Sequence, residues 1–209
     1  MSQSKAGIVG VVLAGGLARR MGGGDKGLIA LRGRPILDHV IERLGPQVDR
    51  IVINANGEPA RLADYKLPIV ADSVEGFAGP LAGVLAGIEW AASRCPGAQW
   101  IVTAATDTPF FPRDLVARFK QAVAAAQADM ACAASAGRHH PVFGLWPVVL
   151  GPDLFHAMTV DGVRKVDVWT ARHRLAVAEF AAERYDPFFN VNRPGDVAEA
   201  ERIATEHRP

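Results

Sequence analysis

An apolar run, Ile8-Val9-Gly10-Val11-Val12-Leu13, leads directly into a segment with six glycines, two arginines and one lysine between Ala14 and Gly27. An unbroken apolar run without alternation reads as a strand buried on both faces, the habit of a parallel sheet. Glycine lets a backbone approach a ligand closely and take up positive φ. Successive bare N–H groups can form an anion-binding concavity. Arg19, Arg20 and Lys26 add fixed positive charge. The simplest ligand for such a loop is a phosphate chain.

Two familiar phosphate motifs are excluded. A P-loop ends in Gly-Lys-Ser/Thr, and Lys26 is followed by Gly27. Gly22, Gly24 and Gly27 match G-x-G-x-x-G formally. That motif turns directly from strand into helix, whereas Gly22 lies well past the strand and Leu28 to Gly33 reads as a short strand.

Strand and helix then alternate. Helices are predicted over Pro35–Leu44 (Pro35 in the first helical position), Pro59–Asp64, Pro80–Arg94, Arg113–Ala128, Pro152–Met158, Val163–His173 and Pro194–Glu206. Strands are predicted at Arg50–Asn54, Pro68–Ala71, Trp100–Ala105, Met130–Ala134, Val142–Trp146 and Leu175–Phe180. Gly83 and Gly87 sit about one turn apart and should let the Pro80 helix approach the sheet. The pattern predicts a Rossmann-like, doubly wound, mainly parallel sheet with helices on both faces. A length of 209 residues fits one domain over 1–209, with residues 1–7 a short polar lead-in. In such sheets ligands bind beyond the carboxyl ends of the strands. The glycine loop, Asn54, Asp72 and Asp107 each follow a predicted strand, so they should converge on one rim.

A formal net charge of +1 argues against bulk nucleic-acid binding. Cys95 and Cys132 are isolated and match no metal spacing, as in a reduced cytosolic protein. No signal peptide and no apolar run of membrane-spanning length is present, so the expectation is a cytoplasmic protein with no membrane partner.

Several polar residues carry two readings. Asp107, in Thr106-Asp107-Thr108-Pro109, is a metal ligand or the cap of a turn. Mg²⁺ takes hard oxygens, usually one or two carboxylates plus substrate phosphates and water. Asp72 and Asn54 read as base or ribose readers, against a helix cap and a strand-end turn. A carboxylate can accept both the ring N–H and the exocyclic amine of guanine. Lys26 is a phosphate ligand or a surface lysine. His139-His140 is a poor metal pair, because neighbours on a strand point to opposite faces. Asn190-Val191-Asn192 puts two amides on one side of an extended segment, or forms a turn before the Pro194 helix. Arg164 and Lys165 bind an anion or lie on a solvated surface.

Leu13-Ala14-Gly15-Gly16, then Arg19, Met21 and Gly22, then Asp25-Lys26-Gly27-Leu28 resemble the signature of molybdenum cofactor guanylyltransferases, of the wider nucleotidyltransferase fold. The resemblance runs from Gly10 to about Val197, dense in the first loop and the Asp107 turn, thin between Arg113 and Arg138. It implies transfer of GMP from GTP to the phosphate of molybdenum-bound molybdopterin with release of pyrophosphate. It implies Mg²⁺ on Asp107, with Arg19 and Lys26 on the triphosphate. Leu13, Ala14, Gly15 and Gly16 pass under the nucleotide. The string Gly79-Pro80-Leu81-Ala82-Gly83 is similar to the guanylyl branch, and Gly15 stands where related cytidylyltransferases usually carry alanine. The resemblance also puts His140, in His140-Pro141, on the acceptor pocket and Asn190 and Asn192 near the nucleotide. Proteins that supply or receive the cofactor are further partners on this view. The alternatives are a cytidylyl or sugar-1-phosphate nucleotidyltransferase of the same fold, or a nucleotide-binding delivery module without turnover.

Overall fold

A computed structural model describes residues 7–15, 26–76 and 79–206. Strand β1 (Ile8–Leu13) is buried throughout. A small antiparallel hairpin, β2 (Ala30–Leu31) and β3 (Arg34–Pro35), precedes helix α1 (Ile36–Leu44) and strand β4 (Arg50–Asn54). A 3-10 turn at Pro59–Tyr65 leads to β5 (Ile69–Val70), then α2 (Pro80–Arg94) and β6 (Trp100–Ala105). Next come α3 (Leu115–Ala126), β7 (Met130–Ser135), β8 (Arg138–Pro147) and α4 (Gly151–Thr159). The last elements are α5 (Val166–Thr170), β9 (Leu175–Phe180) and α6 (Pro194–Glu206).

The main sheet has the order β5-β4-β1-β6-β8-β7-β9. The pairs β5/β4, β4/β1, β1/β6 and β7/β9 are parallel, whereas β8 runs antiparallel to both β6 and β7. The sheet is therefore mainly parallel, as expected, with one reversed strand inside it. β1 shows why it is buried on both sides. Ile8 and Val12 join Leu37, Val40 and Leu44 of α1 and Phe119 of α3 in one apolar cluster. Val9, Val11 and Leu13 join Leu81, Val84 and Leu85 of α2 and Trp169 of α5 in the other.

The two glycines of α2 act as expected. A Cβ on Gly87 would lie 2.6 Å from Val11 Cγ2, and one on Gly83 would meet Asn54 Oδ1 and, at 2.7 Å, Leu13 Cδ2. Only glycine lets the helix lie this close to β1 and β4. Among the described residues no helix is long and apolar enough to cross a membrane. Cys95 and Cys132 are unbridged, and burial pushes the Cys132 thiol up to about 11.

Some expectations need correction. Leu28 to Gly33 is not one strand: Lys26–Leu28 is a 3-10 turn and the extended part is the short hairpin. Pro35 is the N-cap of α1, with extended ψ of 142°, rather than its first helical residue. The helix predicted from Arg113 to Ala128 is shorter because Gln127 turns left-handed, with φ of 48°. The helix predicted over Val163–His173 shrinks to α5, since Lys165 is still extended. Arg138 to Pro141, which precede the predicted strand at Val142, belong to β8. Pro141 fits there because the β7/β8 register shifts between Cys132 and Ala133. At such an irregularity a residue without an N–H is tolerated. Thr103 Oγ1 donates to the Val142 carbonyl at 2.6 Å, satisfying a group the irregular ladder leaves over.

Candidate active site

The carboxyl ends of β5, β4, β1 and β6 face a cavity of about 520 Å³, an ordinary size for a small-molecule site. Leu13, Gly15, Lys26, Asn54, Asp72, Gly79, Asp107, His140 and Asn190 all line it. Gly16, Arg19 and Arg20 lie outside the described residues. Ala14 is engaged in the sheet, its N–H donating to the Asn54 carbonyl at 2.8 Å.

The centre of the cavity is a cation held by oxygens. Lys26 Nζ lies 3.4 Å from Asp107 Oδ2 and donates to Asn192 Oδ1 at 2.5 Å. The Lys26 and Asp107 side chains are only 20% and 17% exposed, so the pair is largely withdrawn from water. Thr108 Oγ1 donates to Asn190 Oδ1 at 2.9 Å and stands 3.3 Å from Asp107 Oδ1. The Val191 N–H donates to the Asp107 carbonyl at 2.7 Å. That bond is what carries the Asn190-Val191-Asn192 segment to the end of β6. The Asn190 amide thus meets Thr108 and the Asn192 amide meets Lys26, one on each flank of Asp107.

On the β4–β5 side, Asp72 is fixed by two amides. Asn54 Nδ2 donates to Oδ1 at 2.9 Å and Asn56 Nδ2 donates to Oδ2 at 2.7 Å. Asn56 Oδ1 in turn accepts the Asp72 N–H at 2.9 Å. A carboxylate offers about four lone-pair sites, so each oxygen keeps capacity toward the cavity. Asp72 caps no helix, since α2 begins eight residues later at Pro80, with Gly79 as its N-cap. Asn54 is buried and spans two strands, with its Nδ2 also 3.2 Å from the Val70 carbonyl. The sequence reading passed over Asn56, although Asn54-Ala55-Asn56 shows the same alternation as Asn190-Val191-Asn192.

On the other side of Asp107 the wall is β8. His140 is 8% exposed and His139 is exposed, as strand alternation requires. The His140 ring stacks on Phe188, with centroids 4.5 Å apart and planes at 22°. Burial lowers the pKa of the ring below its usual range. His140 Nε2 is 2.7 Å from Ser135 Oγ, which donates to Asp186 Oδ1 at 2.7 Å. Ser135 and Asp186 also escaped the sequence reading, because no spacing links residues 51 apart. Arg164 is not a cavity wall: its Nη1 donates to the Gly76 carbonyl at 3.1 Å, beside the cavity. Among the described residues no group of three or more His, Cys, Asp or Glu side chains gathers as a metal site.

Residues 10–178 match the model of the MobA-like NTP transferase domain. The chain is 58% identical over 194 residues to the molybdenum cofactor guanylyltransferase of Rhodopseudomonas palustris (strain BisB5), covering 93% of this chain and 92% of that protein. It is 54% identical over 203 residues to the enzyme of the same name from Bradyrhizobium sp. (strain ORS 278), covering 97% and 96%. The fold is similar to that of molybdopterin-guanine dinucleotide biosynthesis protein A from Archaeoglobus fulgidus, with a TM-score of 0.73 and 24% identity over 95% of this chain and all of that one. The mainly parallel sheet and relatives matched nearly end to end agree. The chain belongs to the MobA-like NTP transferase family and, within it, to the molybdenum cofactor guanylyltransferases, which are nucleotidyltransferases.

Proposed function

We propose that the protein transfers GMP from GTP to the phosphate of molybdenum-bound molybdopterin, with Lys26, Asp107, Asn190 and Asn192 at the reacting centre. The observation that carries this reading is the division of one cavity by the Lys26–Asp107 pair. The sheet order puts Leu13, Gly15, Asn54 and Asp72 on one side of β6 and His140 on the other. The first half takes the nucleotide. The second half takes the acceptor.

Asp72 reads guanine: its free lone pairs accept the ring N–H and the exocyclic amine, while Asn54 and Asn56 hold its plane. The glycine-rich loop, with Arg19 and Lys26, takes the triphosphate. An oxygen of the acceptor phosphate attacks the α-phosphorus, the bond from that phosphorus to the β-bridging oxygen breaks, and pyrophosphate leaves with the electron pair. A phosphate is already ionised near neutral pH, so little protein acid–base work is needed. Lys26 stabilises the charge that builds on the phosphoryl oxygens, and the two cavity halves hold donor and acceptor in reach of each other.

The oxygen set at Asp107 fits Mg²⁺. Asp107 Oδ2 and Asn192 Oδ1 already share one positive charge, the Lys26 ammonium. One carboxylate with substrate phosphates is a usual Mg²⁺ environment. Bound there, Mg²⁺ neutralises phosphate charge and polarises a phosphoryl oxygen. The same reading makes residues 1–209 one cytoplasmic catalytic domain, with proteins that supply or receive the cofactor as its neighbours.

The test is pyrophosphate release from GTP, CTP, ATP and UTP, each with and without molybdenum-bound molybdopterin. Release from GTP alone, and only with acceptor, is expected. Preference for CTP overturns the assignment of Asp72 to guanine, and GTP binding without release in any mixture overturns the reaction.

A further inference from the structure

Behind the β8 wall of the cavity runs a largely buried chain of hydrogen bonds that the reaction as described does not use. Three elements meet in it: Ser135 at the end of β7, His140 on β8, and Asp186 in the segment after β9. Ser135 is fully buried and His140 is 8% exposed. The direction of the chain follows from what each group can do. A carboxylate only accepts, so the Ser135 hydroxyl donates to Asp186 Oδ1 at 2.7 Å. With its one proton committed, the Ser135 oxygen accepts, and His140 Nε2 across 2.7 Å carries the proton between them. Asp186 Oδ1 also accepts the Phe188 N–H at 2.9 Å, and Phe188 covers one face of the His140 ring.

These contacts leave the ring little freedom. One face is closed by Phe188 and the Nε2 edge is closed by Ser135. Among the described residues the other face and Nδ1 have no ring contact or hydrogen bond, and His140 lines the cavity. In the neutral ring with Nε2 protonated, Nδ1 is an acceptor. A fixed tautomer is the usual consequence when a second group bonds the other ring nitrogen.

We propose that Ser135 and Asp186 are positioning residues that act through His140 on the acceptor substrate. They hold the ring in the Nε2–H tautomer, so that its free face and Nδ1 receive a flat, hydrogen-bond-donating heterocycle that carries the attacking phosphate. The proposal rests on the reading that the β8 half of the cavity is the acceptor half. It assigns no role to these residues in holding GTP, because Ser135 and Asp186 do not line the cavity and His140 lies across β6 from Asp72.

The test compares Ser135→Ala, Asp186→Asn, His140→Ala and the double variant Ser135→Ala/His140→Ala with the wild type, using GTP and molybdenum-bound molybdopterin. Ser135→Ala removes one hydroxyl and leaves a residue that strand β7 already carries at several positions. It should raise the acceptor KM about tenfold, the effect of losing one buried hydrogen bond, with the GTP KM within about twofold of wild type. Asp186→Asn should act in the same direction by a smaller factor, since its Oδ1 can still accept. The double variant should be no worse than His140→Ala, because Ser135 acts only through the ring. An unchanged acceptor KM in Ser135→Ala overturns the proposal. So does an equal rise in the two KM values, or a double variant in which the two effects multiply. If His140→Ala itself leaves the acceptor KM unchanged while wild-type transfer proceeds, the placement of the acceptor half is what fails.

Discussion

Lys26 and Asp107 stand 81 residues apart in sequence and meet across the cavity with Nζ 3.4 Å from Oδ2. Lys26 closes the glycine-rich segment after β1, and Asp107 follows β6, the strand hydrogen-bonded beside it. In the proposed reaction Lys26 is assigned to the triphosphate and Asp107 to a divalent cation. Lys26→Ala should lower kcat/KM for GTP by about a hundredfold or more, the usual effect of removing one charge-stabilising donor. Its melting temperature should fall, since removing the ammonium leaves Asp107, largely withdrawn from water, without its partner. Pyrophosphate release and a thermal melt on one sample check both parts.

The Asn56 side chain orients Asp72, which it touches twice at the cavity wall. Asn56→Ala frees one carboxylate oxygen and should raise the GTP KM by about five- to tenfold, with kcat near wild type. The preference for GTP over ITP, which lacks the exocyclic amine, should narrow. Steady-state kinetics with the two nucleotides measure it, and a uniform loss for both would place Asn56 elsewhere in the mechanism.

The two glycines of α2 separate stability from binding. Gly87→Ala presses on Val11, and Gly83→Ala presses on Asn54 and Leu13. Each should cost about 1–3 kcal/mol of stability through overpacking. Only Gly83→Ala should also raise the GTP KM, because Asn54 holds Asp72. Denaturant unfolding and GTP kinetics on the pair distinguish them.

Burial is the main reason the His140 imidazole titrates below its ordinary value of 6.5; Asp186 and Glu179 oppose this, and Arg138 and His139 add to it. The unfolded chain therefore takes up a proton near pH 6.5 that the folded chain refuses until a lower pH. Stability falls as the pH drops from about 6.5 toward the folded value, then levels off. His140→Gln removes this contribution. The melting-temperature advantage of wild type over His140→Gln should shrink between pH 7.5 and pH 5.5, and a constant difference would contradict it.

The parts of the fold that could be read from the sequence are those in which one strand or helix decides its own periodicity. β1 is apolar at every position except glycine, β4 is apolar between Arg50 and Asn54, β6 is apolar but for Thr103, and α2 carries its stripe around glycines one turn apart. The rim position of Asn54, Asp72 and Asp107 follows from those strands. β8 could not be bounded, because Pro141 inside a strand makes sense only beside the register shift in β7. The contacts of Asn192 with Lys26, and of Asp186 with Ser135, are made by tertiary pairing across long stretches of chain. No local spacing encodes them, and the Asn190 segment has no element of its own to announce its position.

The central claim is that the α-phosphorus of GTP changes partners. GTP labelled at the α-phosphorus, incubated with the protein, Mg²⁺ and molybdenum-bound molybdopterin, tests it directly. The label should appear in a molybdopterin–guanine dinucleotide, in equal amount to the pyrophosphate released, and Asp107→Asn should abolish both. Label that stays in GTP, or that appears as free GMP whether or not acceptor is present, would contradict the account.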